Sequence, residues 1–437
     1  VPLVGRSEAA FVWVDQMKTL IFNGNIWDGT GKAPYEGELL VSGRHIEAVA
    51  PGAGSLSSIV GGEDVQRLDA RGMTVMPGLV EGHAHLTFCG ATKNTDLGDI
   101  PPEEHVLATM HGARTLLEAG FTSAFSAASA KLRLDVVIRN EIEAGRIPGP
   151  RLRAASPEIT VTGGLGDDNR LHMDRGSFGL VADGPDAIAR AVRLCIREGV
   201  DNIKLNISGD DFVMAAKGGM TVMREAEVRM ACEIAHDFGK KVASHSRASN
   251  AVMRALECGV DVIYHCESAD ERALDRLEAA RERVFVGPAI GLIHNTMYEA
   301  APWGIDREAA RALGMDRCME NAQRTYEQVR KRGIRVVVGG DYGFAWTPQG
   351  TNARDIEHFV NIFGYTASEA LQCATKVGGE LMGLDVGVLK PDWLADILIV
   401  EGDPLSDVRL LQDKSRLKLI MKDGQAFKNE LGPSPGG

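Results

Sequence analysis

Two histidines stand two residues apart, His83 and His85, in the run Val-Met-Pro-Gly-Leu-Val-Glu-Gly-His-Ala-His-Leu-Thr from Val75 to Thr87. On a strand, residues i and i+2 project from one face, so both imidazoles lie side by side, as a single metal ion requires. Pro77 and Gly78 mark a corner where the chain turns into that strand. Taken alone, His-x-His fits two satisfied core histidines better than a ligand pair, so distant partners must decide.

The surrounding chain shows what would position such partners. Lys18 to Arg71 reads as short β-runs (Thr19 to Phe22, Glu38 to Val41, His45 to Val49) separated by Asn23-Gly24, Asp28-Gly29 and Ser42-Gly43, a small β-unit. Beyond the histidine strand, β-runs alternate with long amphipathic helical stretches, the mark of a parallel sheet with helices outside it. With the histidine strand first, the runs are Thr122 to Phe125, Arg151 to Ala155, Asn202 to Leu205, Lys241 to Ser244, Asp261 to Tyr264, Val284 to Val286 and Arg335 to Val338. Eight strands close a (β/α)8 barrel. Helical stretches fall at Pro185 to Glu198, Arg224 to Phe238, Asn250 to Glu257 and Glu308 to Lys331, and Gly120, Gly199, Gly239, Gly259 and Gly333 stand at expected helix stops. The tail returns to β-runs at Asp396 to Val400, Leu417 to Met421 and Gln425 to Phe427.

The predicted class is α/β: a (β/α)8 TIM-type barrel with a small composite β-sandwich domain from both chain ends. Expected boundaries are an extension or tag over 1–16, with Met17 as the native start, β-sandwich segments over 17–76 and 385–430, the barrel over 77–384, and a disordered tail over 431–437.

Composition narrows the function. A net charge of −12 over 437 residues, with no basic run, argues against a nucleic-acid footprint. No apolar stretch reaches the roughly 18 residues needed to span a bilayer. Seven scattered cysteines, odd in number and without Cys-x-x-Cys spacing, indicate neither a disulfide framework nor a cysteine zinc site. The expectation is a cytoplasmic homo-oligomer with reduced thiols, acting on a small molecule and without nucleic-acid or membrane partners.

In such a barrel the reactive groups stand at the C-terminal ends of the strands. Five strands offer one there: His83 and His85 on the first, Lys204 in Asp-Asn-Ile-Lys-Leu-Asn on the fourth, His245 in Val-Ala-Ser-His-Ser on the fifth, His265 in Val-Ile-Tyr-His-Cys on the sixth, and Asp341 in Val-Val-Gly-Gly-Asp-Tyr on the eighth. Here the chain resembles the amidohydrolase superfamily, in the branch of prolidase-like, arginine-carboxypeptidase-like and imidazolonepropionase-like enzymes. The likeness runs from Met17 onward. It rests on Met-Pro-Gly-Leu-Val-Glu-Gly-His-Ala-His, Ile-Lys-Leu-Asn-Ile-Ser-Gly, Ala-Thr-Lys-Val-Gly-Gly-Glu-Leu-Met-Gly-Leu (Ala374 to Leu384) and Ala-Asp-Ile-Leu-Ile-Val (Ala395 to Val400).

The resemblance implies a binuclear site with His83, His85 and Asp341 on one divalent ion, His245 and His265 on the second, and carbamylated Lys204 between them. Zinc is the default metal, and these donors also accept cobalt, manganese or iron. A lysine held neutral near cations can react with carbon dioxide, giving a carbamate with one oxygen for each ion; the alternative is an interior lysine paired with a carboxylate. A metal-bridging hydroxide would then attack an amide-type carbon–nitrogen bond, in an N-acyl amino acid, dipeptide or aryl amide or carbamate, with Asp341 as general acid–base. Two rivals stay open. One is a mononuclear deaminase or cyclic-amide hydrolase, disfavoured by Lys204 and by the lack of His-x-x-Glu after His245; the other is a non-catalytic scaffold, disfavoured because no ligand is missing.

Weaker candidates surround these. His172 and His294 fall in long loops after the third and seventh strands, on the face where substrate pockets form. Arg247, two residues past His245, would face the same cavity, where it either pairs with Glu267 or receives a substrate carboxylate. His105 and His111 read as packing or solvated residues, and His236 and His358 as ordinary helix residues. Thr162-Gly163-Gly164-Leu165-Gly166 resembles the Thr-Gly-Gly-His-Gly loop of prolidase-like relatives with leucine replacing histidine, and no Lys-Ser/Thr follows to make it a phosphate loop.

Overall fold

The computed structural model describes residues 18–431, apart from 59, 61–64, 174 and 214; the extension expected over 1–16 and all but the first residue of the tail expected over 431–437 lie outside the described residues. The architecture is α/β: a (β/α)8 TIM-type barrel with a small composite β-domain. In that domain Lys18–Ile26 is the hub, pairing with Tyr35–Ser42 on one side, and on the other with Val65–Asp69 and then Thr74–Pro77. Thr74–Pro77 pairs in turn with Ile397–Val400 from the far end of the chain, which leads on to Leu417–Lys422 and Gln425–Asn429. Ile21, Leu39, Val75, Ile397 and Leu419 share one apolar core, so both chain ends are needed to bury it. Pro77 is the last residue of that sheet, and Gly78 N donates to Asp396 O at 2.9 Å, so the expected corner is where the chain passes from sheet to barrel.

The barrel strands are Leu79–Ala84, Phe121–Ser126, Arg151–Arg153 with Ala155–Thr160, Asn202–Asn206, Lys241–Ala248, Val262–Ser268 and Phe285–Gly287. The third differs from expectation. It is split at Ala154, with Arg151–Arg153 pairing to the second strand and Ala155–Thr160 to the fourth. The eighth is no regular strand: Arg335 to Val338 is held by one bridge, Val286 to Val336, and by Val337 N to Val286 O at 2.9 Å. Gly82 N to Val338 O at 2.8 Å closes it onto the first strand. Pleating ends there because the backbone presses against its neighbour: a Cβ at Gly339 would lie 2.5 Å from His83 N.

Val80, Phe125, Ala243, Tyr264, Phe285 and Val337 come from six different strands and meet one another together with Leu381 and Met382 of the helix Lys376–Met382. Side chains from strands so distributed meet inside a barrel. Val80, Ala243, Tyr264 and Val337 each precede the reactive residue of their own strand, so this apolar layer lies on the N-terminal side of the polar one.

Two helical expectations need correction. Glu308 to Lys331 is not one helix but two, Arg307–Ala312 and Met315–Lys331, because Gly314 takes φ +76° between them. His294 is not in a loop; it sits on the helix Ile290–Tyr298. No described helix is long and apolar enough to cross a membrane.

Candidate metal centre

His83, His85, Lys204, His245, His265 and Asp341 line one cavity of about 780 Å³. His83 belongs to the first strand and His85 stands just past it, with ring centroids 5.1 Å apart. Asp341 Oδ1 lies 3.2 Å from His85 Nε2 and 3.9 Å from His83 Nε2, and the ligand atoms of all three residues fall within 4.8 Å of one another. The Ala128 carbonyl, 3.2 Å from His85 Nδ1, can only accept, so Nδ1 donates to it and Nε2 is directed at Asp341, where a metal ion would replace a proton between the two. Tyr264 stacks on His83 at 3.8 Å between centroids and is itself fixed by donating to Gly82 O at 2.7 Å. Neither ring nitrogen of His83 finds a hydrogen-bond partner among the described residues, although the side chain is buried. A divalent ion beside Asp341 would satisfy Nε2 of His83, the nitrogen that faces Asp341 Oδ1, and two imidazoles with one carboxylate are a fitting donor set for it.

The other side is built differently. His245 on the fifth strand and His265 on the sixth have ring centroids 4.3 Å apart, and His265 lies 5.6 Å from His83. His245 Nε2 faces Gly209 O at 3.1 Å and Asp210 Oδ2 at 3.5 Å. Lys204 is 1% exposed, with Nζ 3.9 Å from Glu158 Oε1 and 5.2 Å from the centre of the Tyr264 ring. His265 and Asp341 adopt φ of +74° and +62°, left-handed backbone that costs a non-glycine residue on the order of 1–3 kcal/mol and recurs at functional sites.

Burial sets the charges here. It pulls His83 and His265 far below the ordinary histidine range and His245 down to about 3, against the attraction of Asp210. It also lowers Lys204, although Glu158 and Asp341 resist. Burial pushes Asp341 up, and His83, His85 and Lys204 pull it below the ordinary carboxylate range, so these touching groups share their protons as one set. Imidazoles short of protons beside an ionised carboxylate are the protonation states that metal ligation needs.

Three weaker candidates do not reach the cavity wall. His172 is exposed on the loop after the third strand, whose neighbours Arg170 and Met173 do line it. His294 is half-buried against Tyr298 and His358, with centroids 4.8 and 4.3 Å away. Arg247 is 2% exposed and donates through Nη1 to Glu267 at 2.5 Å and through Nε to Asp210 at 2.8 Å. Of its two expected roles, the ion pair is the one built, with a second carboxylate added. His105, read as packing or solvated, is buried and contacts Thr87 O through Nε2 at 2.5 Å.

Four acids went unread in the sequence. Asp210 and Glu158 belong to the loop after the fourth strand and to the third strand; searching strand ends for carboxylates as well as histidines would have found them. Glu81, raised to about 7 by burial, accepts from His83 N at 3.0 Å and Asn352 at 2.9 Å, and nothing in its local sequence marks it. Asp168, also in the cavity wall, is raised to about 6 by burial.

The chain belongs to the amidohydrolase family, whose model matches residues 74–427, and it is a hydrolase acting on carbon–nitrogen bonds. Ochratoxinase of Aspergillus niger is 24% identical over 437 residues, spanning 95% of this chain and 88% of its own. An amidohydrolase crystal structure superposes with TM-score 0.84 at 25% identity, over 95% of this chain and all of the other. A prolidase complexed with N-methylphosphonate-L-proline superposes with TM-score 0.84 at 23% identity, over 94% of this chain and 100% of that one.

Proposed function

We propose that the chain is a binuclear metal-dependent amidohydrolase that cleaves the amide bond of N-acyl amino acids and related aryl amides. The observation that carries this is the meeting of six potential ligands with an aromatic wall and cationic side chains in one cavity. His83, His85 and Asp341 would hold one ion, zinc by default, and His245 and His265 the second. Lys204 would bridge them once its nitrogen adds to the carbon of carbon dioxide and gives up a proton, leaving a carbamate; the depressed pKa of its buried amine favours that step. When bound, the ions lower the pKa of water towards roughly 7 and polarise the substrate carbonyl. Asp341 takes the proton of the attacking water and passes it to the amide nitrogen as the carbon–nitrogen bond breaks, giving a carboxylic acid and an amine. Phe88, Phe178, Phe212, Trp303, Phe344 and Trp346 offer an apolar wall for an acyl or aryl group. Lys93, Arg170 and Arg175 line the same cavity and suit a substrate carboxylate. The likeness to a prolidase and an ochratoxinase supports an amide substrate. Seven unpaired thiols fit a reducing, cytoplasmic setting.

The test is turnover of N-aroyl amino acids, dipeptides, aryl amides and carbamates by zinc-loaded protein, with metal counted per chain. Two ions, and N-aroyl amino acid hydrolysis that stops on chelation, are expected. One ion per chain would favour the mononuclear deaminase or cyclic-amide reading, and inactivity on every amide and carbamate would overturn the substrate assignment.

A further inference from the structure

A single guanidinium, Arg247 on the fifth strand, joins two buried carboxylates: Asp210 in the loop after the fourth strand and Glu267 on the sixth. Asp210 Oδ2, the oxygen that receives Arg247 Nε, is also the one 3.5 Å from His245 Nε2. Both neighbours of that nitrogen, Asp210 and the Gly209 carbonyl, only accept, so Nε2 carries the proton and donates, and Nδ1 keeps the lone pair that can ligate a metal. The loop that carries Asp210 is pinned in place. Phe212 N donates to Asp210 Oδ1 at 2.9 Å, Asp210 N to Ala216 O at 2.9 Å, and Arg247 N to Ser208 Oγ at 3.0 Å. A Cβ at Gly218 would already meet Arg247 Cδ at 3.3 Å. Asp210 therefore cannot turn without moving the guanidinium. Formally the triad carries one negative charge in excess, beside two histidines that bring none.

We propose that the Asp210–Arg247–Glu267 chain is a positioning device for His245: it locks Nε2–H onto the loop, leaves Nδ1 to ligate, and supplies the negative charge that the His245–His265 pair lacks. It thereby sets the metal affinity of this side separately from the His83–His85–Asp341 side. This rests on the two-ion reading above. Outer partners of metal-bound histidines typically carry about 10–100-fold of metal affinity.

Equilibrium dialysis of the full chain against graded zinc buffers reads both binding steps. Wild type is expected to take two ions. Asp210→Asn and Arg247→Met are expected to weaken one by about 10–100-fold and leave the other as in wild type. Because Arg247→Met strips two buried carboxylates of their partner, Arg247→Met combined with Glu267→Gln is measured alongside, with the same selective loss expected. Nitrogen NMR of the metal-free protein adds a readout independent of metal: His245 as the Nε2–H tautomer in wild type, and a tautomer mixture in Asp210→Asn. Variants that keep both affinities, or lose both equally, overturn the positioning role while the two-ion reading stands. A wild type that takes fewer than two ions overturns that reading and this inference together.

Discussion

Two buried polar clusters in this molecule are completed in opposite ways. Where the barrel meets the composite sheet, Arg151 donates through Nη1 to Asp396 Oδ2 at 2.7 Å and Ser123 Oγ at 2.9 Å, and through Nη2 to Asp396 Oδ1 at 3.1 Å and Asp423 Oδ1 at 2.6 Å. Asp396 Oδ1 also accepts from Asp423 N at 3.0 Å, and Arg44 closes on Asp423 at 2.8 Å. In the cavity wall, by contrast, both ring nitrogens of His83, Nδ1 of His265, Oδ2 of Asp168 and Nε of Arg175 are buried without a hydrogen-bond partner among the described residues. Each such atom costs about 1–3 kcal/mol. A junction that only has to hold satisfies its charges from within the chain, whereas a concentration of unsatisfied atoms marks the place where a ligand completes the set. Substitutions in the two clusters should therefore separate activity from stability.

The largest effect is expected from Lys204→Ala. With the bridging anion gone, metal content should fall and activity drop by more than the roughly 10⁴-fold of a lost acid–base group. The metal-free variant should lose less stability than Arg151→Met does, since Lys204 Nζ stands 3.9 Å from its carboxylate neighbour Glu158, beyond hydrogen-bond distance, whereas Arg151 donates four hydrogen bonds. Added short carboxylates should restore part of the activity. An alanine variant with two ions and full kcat would end the carbamate assignment, and one whose metal-free form is strongly destabilised would make Lys204 a structural residue like Arg151.

Asp341→Asn comes next. Its volume is conserved, so the fold should persist while kcat falls by roughly 10² to 10⁴-fold, measured at metal content matched to wild type. An asparagine variant within about threefold of wild type would remove the proton-transfer role.

What was legible beforehand follows the same division. The six cavity residues could be singled out because strand-end placement is a property of the chain's order: His83, His85, Lys204, His245, His265 and Asp341 each sit at or just past an apolar run. Their convergence needs only that the runs form one barrel. Glu267 could be named as a partner for Arg247 by the same strand-end logic, but Asp210 could not, because its pairing depends on how a loop packs across the fifth strand, and sequence distance says little about that. The junction was not visible at all. Arg151, Asp396 and Asp423 are far apart in the chain, and each looks like an ordinary surface charge until the composite sheet brings its ends together. The split third strand and the bridge-only eighth strand were misread because close approach at Gly339 and the crossing at Ala154 interrupt pleating without disturbing the apolar pattern.

Arg151→Met tests the junction side. Asp396, 1% exposed at its side chain, would lose its buried counter-charge, and breaking such a pair costs about 3–5 kcal/mol. Urea unfolding of metal-matched protein should show that loss with kcat unchanged. A fall in kcat without a fall in stability would instead tie the junction to the cavity.

Asp423 gives the smallest of these effects and one with a definite pH signature. Burial raises its carboxyl, but Arg151 and Arg44 outweigh burial and hold it below the ordinary aspartate value of 3.8. A carboxyl depressed in the folded state contributes stability that is fully present above its unfolded pKa. That contribution is lost as pH falls through the folded value, because in that interval the unfolded chain binds a proton that the folded one does not. Asp423→Asn should therefore be less stable than wild type by about 1.5–3 kcal/mol at neutral pH. The gap should narrow as pH falls below the ordinary aspartate value of 3.8, where wild type loses the ionised carboxylate and the variant has none to lose. Urea midpoints of both proteins, taken metal-free at neutral and acid pH, measure it. A gap that stays constant across that range would mean that Asp423 is held by hydrogen-bond geometry and not by charge. A gap absent from the metal-free proteins would show that the junction is not the self-sufficient cluster its contacts describe.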